Sequence, residues 1–184
     1  MLPKYLKPFH IDSEKLTRIG PKLDGGYILD KRIIHLTEKI ITCGLNDDWE
    51  FEKKFLEINP SCKVLAYDHT VNKEFWIKRF KKDIIHFFLF KKLRIRKIIN
   101  IFKYYDYINF FRNENKHYEL KISNENIKDK EININEILSN HNNLILKIDI
   151  EGDEYNILKQ ILYNSKKLAI ESTVISMTDL PGIL

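Results

Sequence analysis

The chain has 184 residues, a formal net charge of +5 and 43% apolar side chains, with few glycines and prolines. That is the composition of a globular domain long enough to bury a real core, and the small positive excess suits acidic partners without singling one out. Cys43 and Cys62 have no zinc-type spacing and cannot make a disulfide framework, so they read as two reduced thiols of a cytosolic protein.

Residues 1–10 lack the apolar run of a signal peptide, and no stretch reaches the ~18 uninterrupted apolar residues of a membrane span. The expected location is cytoplasmic. In chain order, residues 26–36 are expected to form a small hairpin or an edge cover. Lys39–Cys43 (K-I-I-T-C) is a short apolar strand closed by Gly44. A helix over 49–58 follows, with Trp49, Phe51, Phe55, Leu56 and Ile58 between charges, and Pro60 stops it. Lys63–Tyr67 (K-V-L-A-Y) is a second strand, ending at Asp68.

A basic and aromatic stretch fills about 73–112 and is expected as a helical insertion. A third strand is expected over 118–122, a short helix at 134–138, and a fourth strand at Leu144–Ile148 (L-I-L-K-I), ending at Asp149. A helix over 153–163 carries Tyr155, Ile157, Leu158, Ile161 and Leu162 on one face. A fifth strand is expected within 168–175. Strands alternating with helices predict an α/β fold, a parallel sheet covered by helices on both faces, in one domain spanning 1–184.

Open α/β sheets bind ligands beyond the carboxyl ends of their strands, so Gly44, Asp68 and Asp149 are the residues of interest. Gly44 lets a ligand approach the backbone closely, or is a plain turn glycine. Asp68, some twenty residues on, can accept both hydroxyls of a ribose. The segment Asp149-Ile150-Glu151-Gly152-Asp153-Glu154 brings two carboxylates, Asp149 and Glu151, to the rim of a site. They could hold a cofactor amine, orient a hydroxyl or bind a metal; alternatively the whole cluster is helix-capping chemistry. No metal-ligand set is visible by spacing.

The stretch L-K-I-D-I-E-G-D-E-Y-N-I-L (146–158) resembles the hallmark of FkbM-type methyltransferases. Two further stretches fit a branch of that family: Arg18-Ile19-Gly20 with Asp24-Gly25-Gly26-Tyr27, and C-G-L-N-D-D-W-E-F-E (43–52) with Ala66-Tyr67-Asp68. The resemblance covers about residues 16–163. It implies a Rossmann-like class I fold binding S-adenosylmethionine, and O-methylation of a hydroxyl on a sugar, surface glycan or related metabolite. It also implies that Gly44, Leu45, Asp47, Asp68, His69 and Asp149 surround the cofactor and that Asp24, Gly25, Gly26 and Tyr27 meet the substrate. Asp149 or Glu151 is then the base that activates the hydroxyl, or the ligand of an assisting metal. Relatives continue into a strand with an acidic-Phe-His ending where Ser172-Thr173-Val174-Ile175 stands here. The last strands are therefore expected to be missing or atypical, the C-terminal end being truncated or altered.

Three readings fit the basic insertion: a solvated helical pair packed on the domain, a peripheral contact with an anionic membrane through 75–112, or phosphate contacts and base stacking with nucleic acid. No helix-turn-helix, zinc-finger or RNA-recognition pattern supports the last. Competing functions are a catalytically inactive methyltransferase-like fragment and a nucleic-acid- or membrane-binding module. The glycine fingerprint of a dehydrogenase is missing. Acceptor identity and oligomeric state stay open.

Overall fold

The computed structural model describes residues 12–22, 26–89, 102–124, 129–139, 141–150, 154–165 and 172–175. It is α/β, with a parallel sheet flanked by helices. The strands are β1 (Leu16–Ile19), β2 (Tyr27–Asp30), β3 (Lys39–Cys43), β4 (Lys63–Tyr67), β5 (Lys116–Tyr118), β6 (Lys121–Ser123), β7 (Glu131–Asn133), β8 (Leu144–Ile148) and β9 (Ser172–Ile175). The helices are α1 (Lys31–Leu36), α2 (Glu50–Ile58), α3 (Lys73–Leu89), α4 (Lys103–Phe110), α5 (Ile134–Ser139) and α6 (Glu154–Ser165).

The main sheet has the order β5-β4-β3-β8-β9 with every neighbouring pair parallel. Within this sheet the chain enters at β3, runs outward through β4 and β5, then returns to the other side of β3 for β8 and β9. Lys39 of β3 stands in register with Lys63 on one side and Leu144 on the other. Apolar strands suit this central position because both faces are covered, and all five residues of β8 are buried.

Alternation along β8 divides the core in two. Leu144, Leu146 and Ile148 meet Ile41 and Cys43 of β3, Ile134, Ile137 and Leu138 of α5, and Ile157 and Ile161 of α6. Ile145 faces the opposite side, with Ile40, Val64, the fully buried Phe51 and Phe55 of α2, and Ile19, Leu29 and Ile34 from the hairpin and α1. Burying each phenylalanine contributes about 2–3 kcal/mol. Cys43 and Cys62 are buried free thiols; burial pushes Cys62 up to about 12 and Cys43 further, so neither is a nucleophile.

The hairpin expected over 26–36 is built differently. Tyr27–Asp30 pairs antiparallel with the preceding Leu16–Ile19, and 31–36 turns into helix. Asp30 makes that switch: its carboxylate accepts from the Arg32 amide at 2.9 Å, capping α1, and the Arg32 guanidinium beside it holds it at about 2.

The strand expected over 118–122 is two strands. β5 ends at Tyr118, the Leu120 amide donates to the Tyr118 carbonyl at 2.8 Å, and the turned chain starts β6, which pairs with β7 in a separate two-stranded sheet. The strand expected within 168–175 is present as β9, paired to β8.

The described parts of 73–112 are helical and packed. Trp76 of α3 meets Trp49 edge-on at 6.2 Å, and Tyr107 of α4 lies 4.9 Å from Trp76 and 5.8 Å from Trp49. Ion pairs reinforce the contact. Asp47 takes Arg79 and, at 3.6 Å, Lys103, while Asp106 takes Lys53 at 2.5 Å. Residues 90–101 lie outside the described residues.

Candidate functional site

The strand order reverses between β3 and β8. Such a point in an open α/β sheet leaves a crevice for a ligand. A cleft of about 360 Å³ opens at this place, a size proper to small-molecule sites. Its polar rim is Gly44, Asn46, Asp68, His69, Thr70 and Asp149. Its apolar wall comes from Tyr67, Leu120, Ile122 and Ile150, with Lys121 beside them.

Gly44 makes the closeness of β3 and β8 feasible. Its φ is +84°, and a Cβ placed on it would sit 1.7 Å from the Asp149 carbonyl oxygen. Only glycine accepts both the backbone angle and the contact. The Asp149 amide donates to the Cys43 carbonyl at 2.7 Å, which ties the end of β8 to the last residue of β3. The chain then turns at Asn46, whose φ of 49° lies in the left-handed region that asparagine tolerates.

Asp68 organises the rim. Its Oδ2 accepts from the amides of Leu45 at 2.8 Å and Asn46 at 2.9 Å. Its Oδ1 accepts from the Thr70 amide at 2.8 Å and the Thr70 hydroxyl at 2.6 Å. Burial by itself raises such a carboxyl, but the Thr70 hydroxyl and the amides of Asn46, Thr70 and Leu45 outweigh it and hold Asp68 below the usual aspartate range. A depressed folded value gives stability that is full above the unfolded pKa of about 3.9 and lost as pH falls through the lower folded value. Asp68→Asn keeps the shape but cannot accept at both oxygens. It is expected to cost about 2–4 kcal/mol at pH 7 and much less at pH 3, read by urea unfolding at both pH values. Equal losses at the two would show that the ionised carboxylate is not what holds this loop.

The site also reaches into the helical insertion. His117 of β5 donates from Nε2 to the Asp68 carbonyl at 3.0 Å and accepts at Nδ1 from the Tyr107 hydroxyl at 2.5 Å. Burial pushes His117 below its ordinary value, which favours a neutral ring with this pair of bonds, and burial pushes Tyr107 up to about 12.

Gly44, Asp68, His69 and Asp149 are thus brought to one cleft, and the backbone amide of Leu45 fixes Asp68. Asp47 is turned to Arg79 and Lys103. Gly26 and Tyr27 do not line the cleft: Gly26 sits against the Pro21 carbonyl and Tyr27 packs edge-on against Phe51 at 5.0 Å. Asp24, Gly25 and Glu151 lie outside the described residues.

Sequence reasoning passed over Asn46, Thr70 and the wall residues Leu120 and Ile122. An asparagine two residues after a strand-ending glycine, and a threonine two residues after an aspartate, are both turn signals that could have marked the first two. Among the described residues no group of three or more His, Cys, Asp or Glu side chains could hold a metal ion. No protein-family model, curated protein or solved structure matches this chain.

Proposed function

We propose that this chain is an S-adenosylmethionine-dependent O-methyltransferase domain of the FkbM-like kind, acting on a hydroxyl of a sugar, surface glycan or related metabolite. The observation that carries the reading is the convergence of Gly44, Asp68 and Asp149, ends of three different strands, on one cleft where the strand order reverses. That order, with its outward and return halves, is the one doubly wound nucleotide-binding sheets use.

The residues present fit a nucleoside carrying a charged tail. Tyr67, Leu120 and Ile122 offer an apolar wall for a flat base, and Gly44 and Asn46 line the cleft beside them. Asp68 is the acceptor for a ribose diol, with one condition. Its two oxygens already take four donors within the chain, so a ribose hydroxyl at Oδ1 replaces the Thr70 hydroxyl, which can turn away. When bound, the cofactor supplies a methyl group on a sulfonium, open to in-line displacement. Half-buried Asp149 lines the cleft and is the candidate base for the acceptor hydroxyl. Positioning of that hydroxyl contributes most of the effect.

The full complement of bonds on Asp68 also favours a second reading, a methyltransferase-like domain that binds no nucleoside. Calorimetric titration with S-adenosylhomocysteine separates the two. The expected result is micromolar binding, about −8 kcal/mol, weakened at least tenfold by Asp68→Ala and kept or tightened by Thr70→Ala, with folding of each variant checked by circular dichroism. A folded wild-type chain that takes up no ligand decides for the second reading.

A further inference from the structure

The charge of this chain is unevenly laid out. Residues 73–112 hold twelve lysines and arginines against three acidic residues, a net +9 in a chain whose total is +5, so the remainder is net acidic. Helix α3 presents this charge in an ordered way. Its buried side is Trp76 and Asp83, with half-buried Arg79 between them, at helical spacing against the domain. Advancing about 100° per residue, the next arc around the helix holds Phe80, Ile84 and Ile77, followed by Lys81, Ile85, Lys78 and Lys82; the exposed Glu74 lies on the same arc, 4.0 Å from Lys78. Phe80 is 48% exposed, Ile77 44% and Ile85 53%, and all three lysines are exposed. Tyr104 of α4, itself exposed, packs on Trp76 at 5.3 Å and extends the apolar surface beside α3, with exposed Tyr105 following it in the chain.

We propose that this face of α3, with the adjoining aromatic residues of α4, is a docking surface for an anionic lipid bilayer. Phe80, Ile77 and Ile85 enter the boundary between headgroups and acyl chains, and Lys78, Lys81 and Lys82 meet the lipid phosphates. Two arguments choose this occupant. A face on which exposed apolar side chains adjoin and interleave with lysines has use for hydrocarbon as well as phosphate, whereas nucleic acid offers no partner for the isoleucines, which have no π face on which a base stacks. A second copy of the same face would bring like charges together.

The test is sedimentation of the full chain with vesicles of phosphatidylcholine alone and of phosphatidylcholine with phosphatidylglycerol, at low and high salt. The expected result is binding to the anionic vesicles only, weakened by salt. The combined Lys78→Gln, Lys81→Gln and Lys82→Gln variant should bind about a hundredfold more weakly. Ile77→Ser with Phe80→Ser should weaken binding about tenfold at low salt as well. The same loss of charge elsewhere, in Lys22→Gln, Lys54→Gln and Lys130→Gln, should change binding less than twofold. Equal behaviour toward both vesicle types, equal weakening by the control variant, or displacement from anionic vesicles by single-stranded RNA would each overturn the proposal. None of these readouts depends on cofactor binding.

Discussion

Gly44→Ala is expected to destabilise the fold by more than about 4 kcal/mol and to abolish ligand binding. Two costs combine. A non-glycine residue at a φ of +84° carries backbone strain of about 1–3 kcal/mol. The added carbon would also stand 1.7 Å from the Asp149 carbonyl oxygen and 2.6 Å from its carbon, and both are main chain. No rotamer change relieves a contact with backbone, so the ends of β3 and β8 must separate. That removes the 2.7 Å bond from the Asp149 amide to Cys43 and opens the floor of the cleft. Urea unfolding beside a ligand titration measures both consequences. A loss under about 1 kcal/mol would mean that the strand ends part freely and that the glycine is an ordinary turn residue.

Lys147→Met is the second large case, and its partner variant makes it diagnostic. Lys147 is 5% exposed in the middle of β8, and Glu52 of α2 is fully buried opposite it. Glu52 Oε1 accepts from Lys147 Nζ at 3.1 Å and from the Thr42 hydroxyl at 2.7 Å. The lysine ammonium also lies 5.9 Å over the Tyr27 ring and 5.7 Å over Phe51. Burial alone would lower the lysine, but Glu52 outweighs it and Lys147 stays protonated above its ordinary value. Glu52 Oε2 has no hydrogen-bond partner among the described residues, so the pair is already incompletely compensated. Removing Lys147 leaves a buried carboxylate with Thr42 alone, at a cost of about 3–5 kcal/mol. Adding Glu52→Met should recover most of that, because two apolar side chains need no partners. Losses that simply add in the double variant would show that the two groups do not act as a pair.

What was legible in the sequence follows the length scale of the interactions. β3, β4 and β8 stand out because a buried parallel strand is apolar on both faces and each one ends on a punctuating residue, Gly44, Asp68 or Asp149. Those three endings also located the cleft. The hairpin partner Leu16–Ile19 was missed because it is four residues long, half-buried and without a clear period. The break between β5 and β6 was missed because Tyr118 to Ile122 reads as one apolar run; the turn at Leu120 is visible only in the hydrogen bonds. β7 has three half-buried residues, Glu131, Ile132 and Asn133, with no pattern to read. The Thr70 hydroxyl on Asp68 and the ion pair between Glu52 and Lys147 are tertiary facts, although a lysine inside L-I-L-K-I was a local sign that a buried acid had to face it.

The position of β8 has a consequence for how the chain is made. β8 is a central strand, yet Leu144 pairs with Lys39, and on a ribosome adding about 5–20 residues per second the two are separated by on the order of ten seconds of synthesis. Through that interval β3, β4 and β5 can assemble, but the β3 flank that β8 will occupy keeps its amides and carbonyls unpaired between buried-type isoleucines. A nascent chain in that state is a template for strands of other chains, and it is the stage at which this protein has most need of chaperone cover.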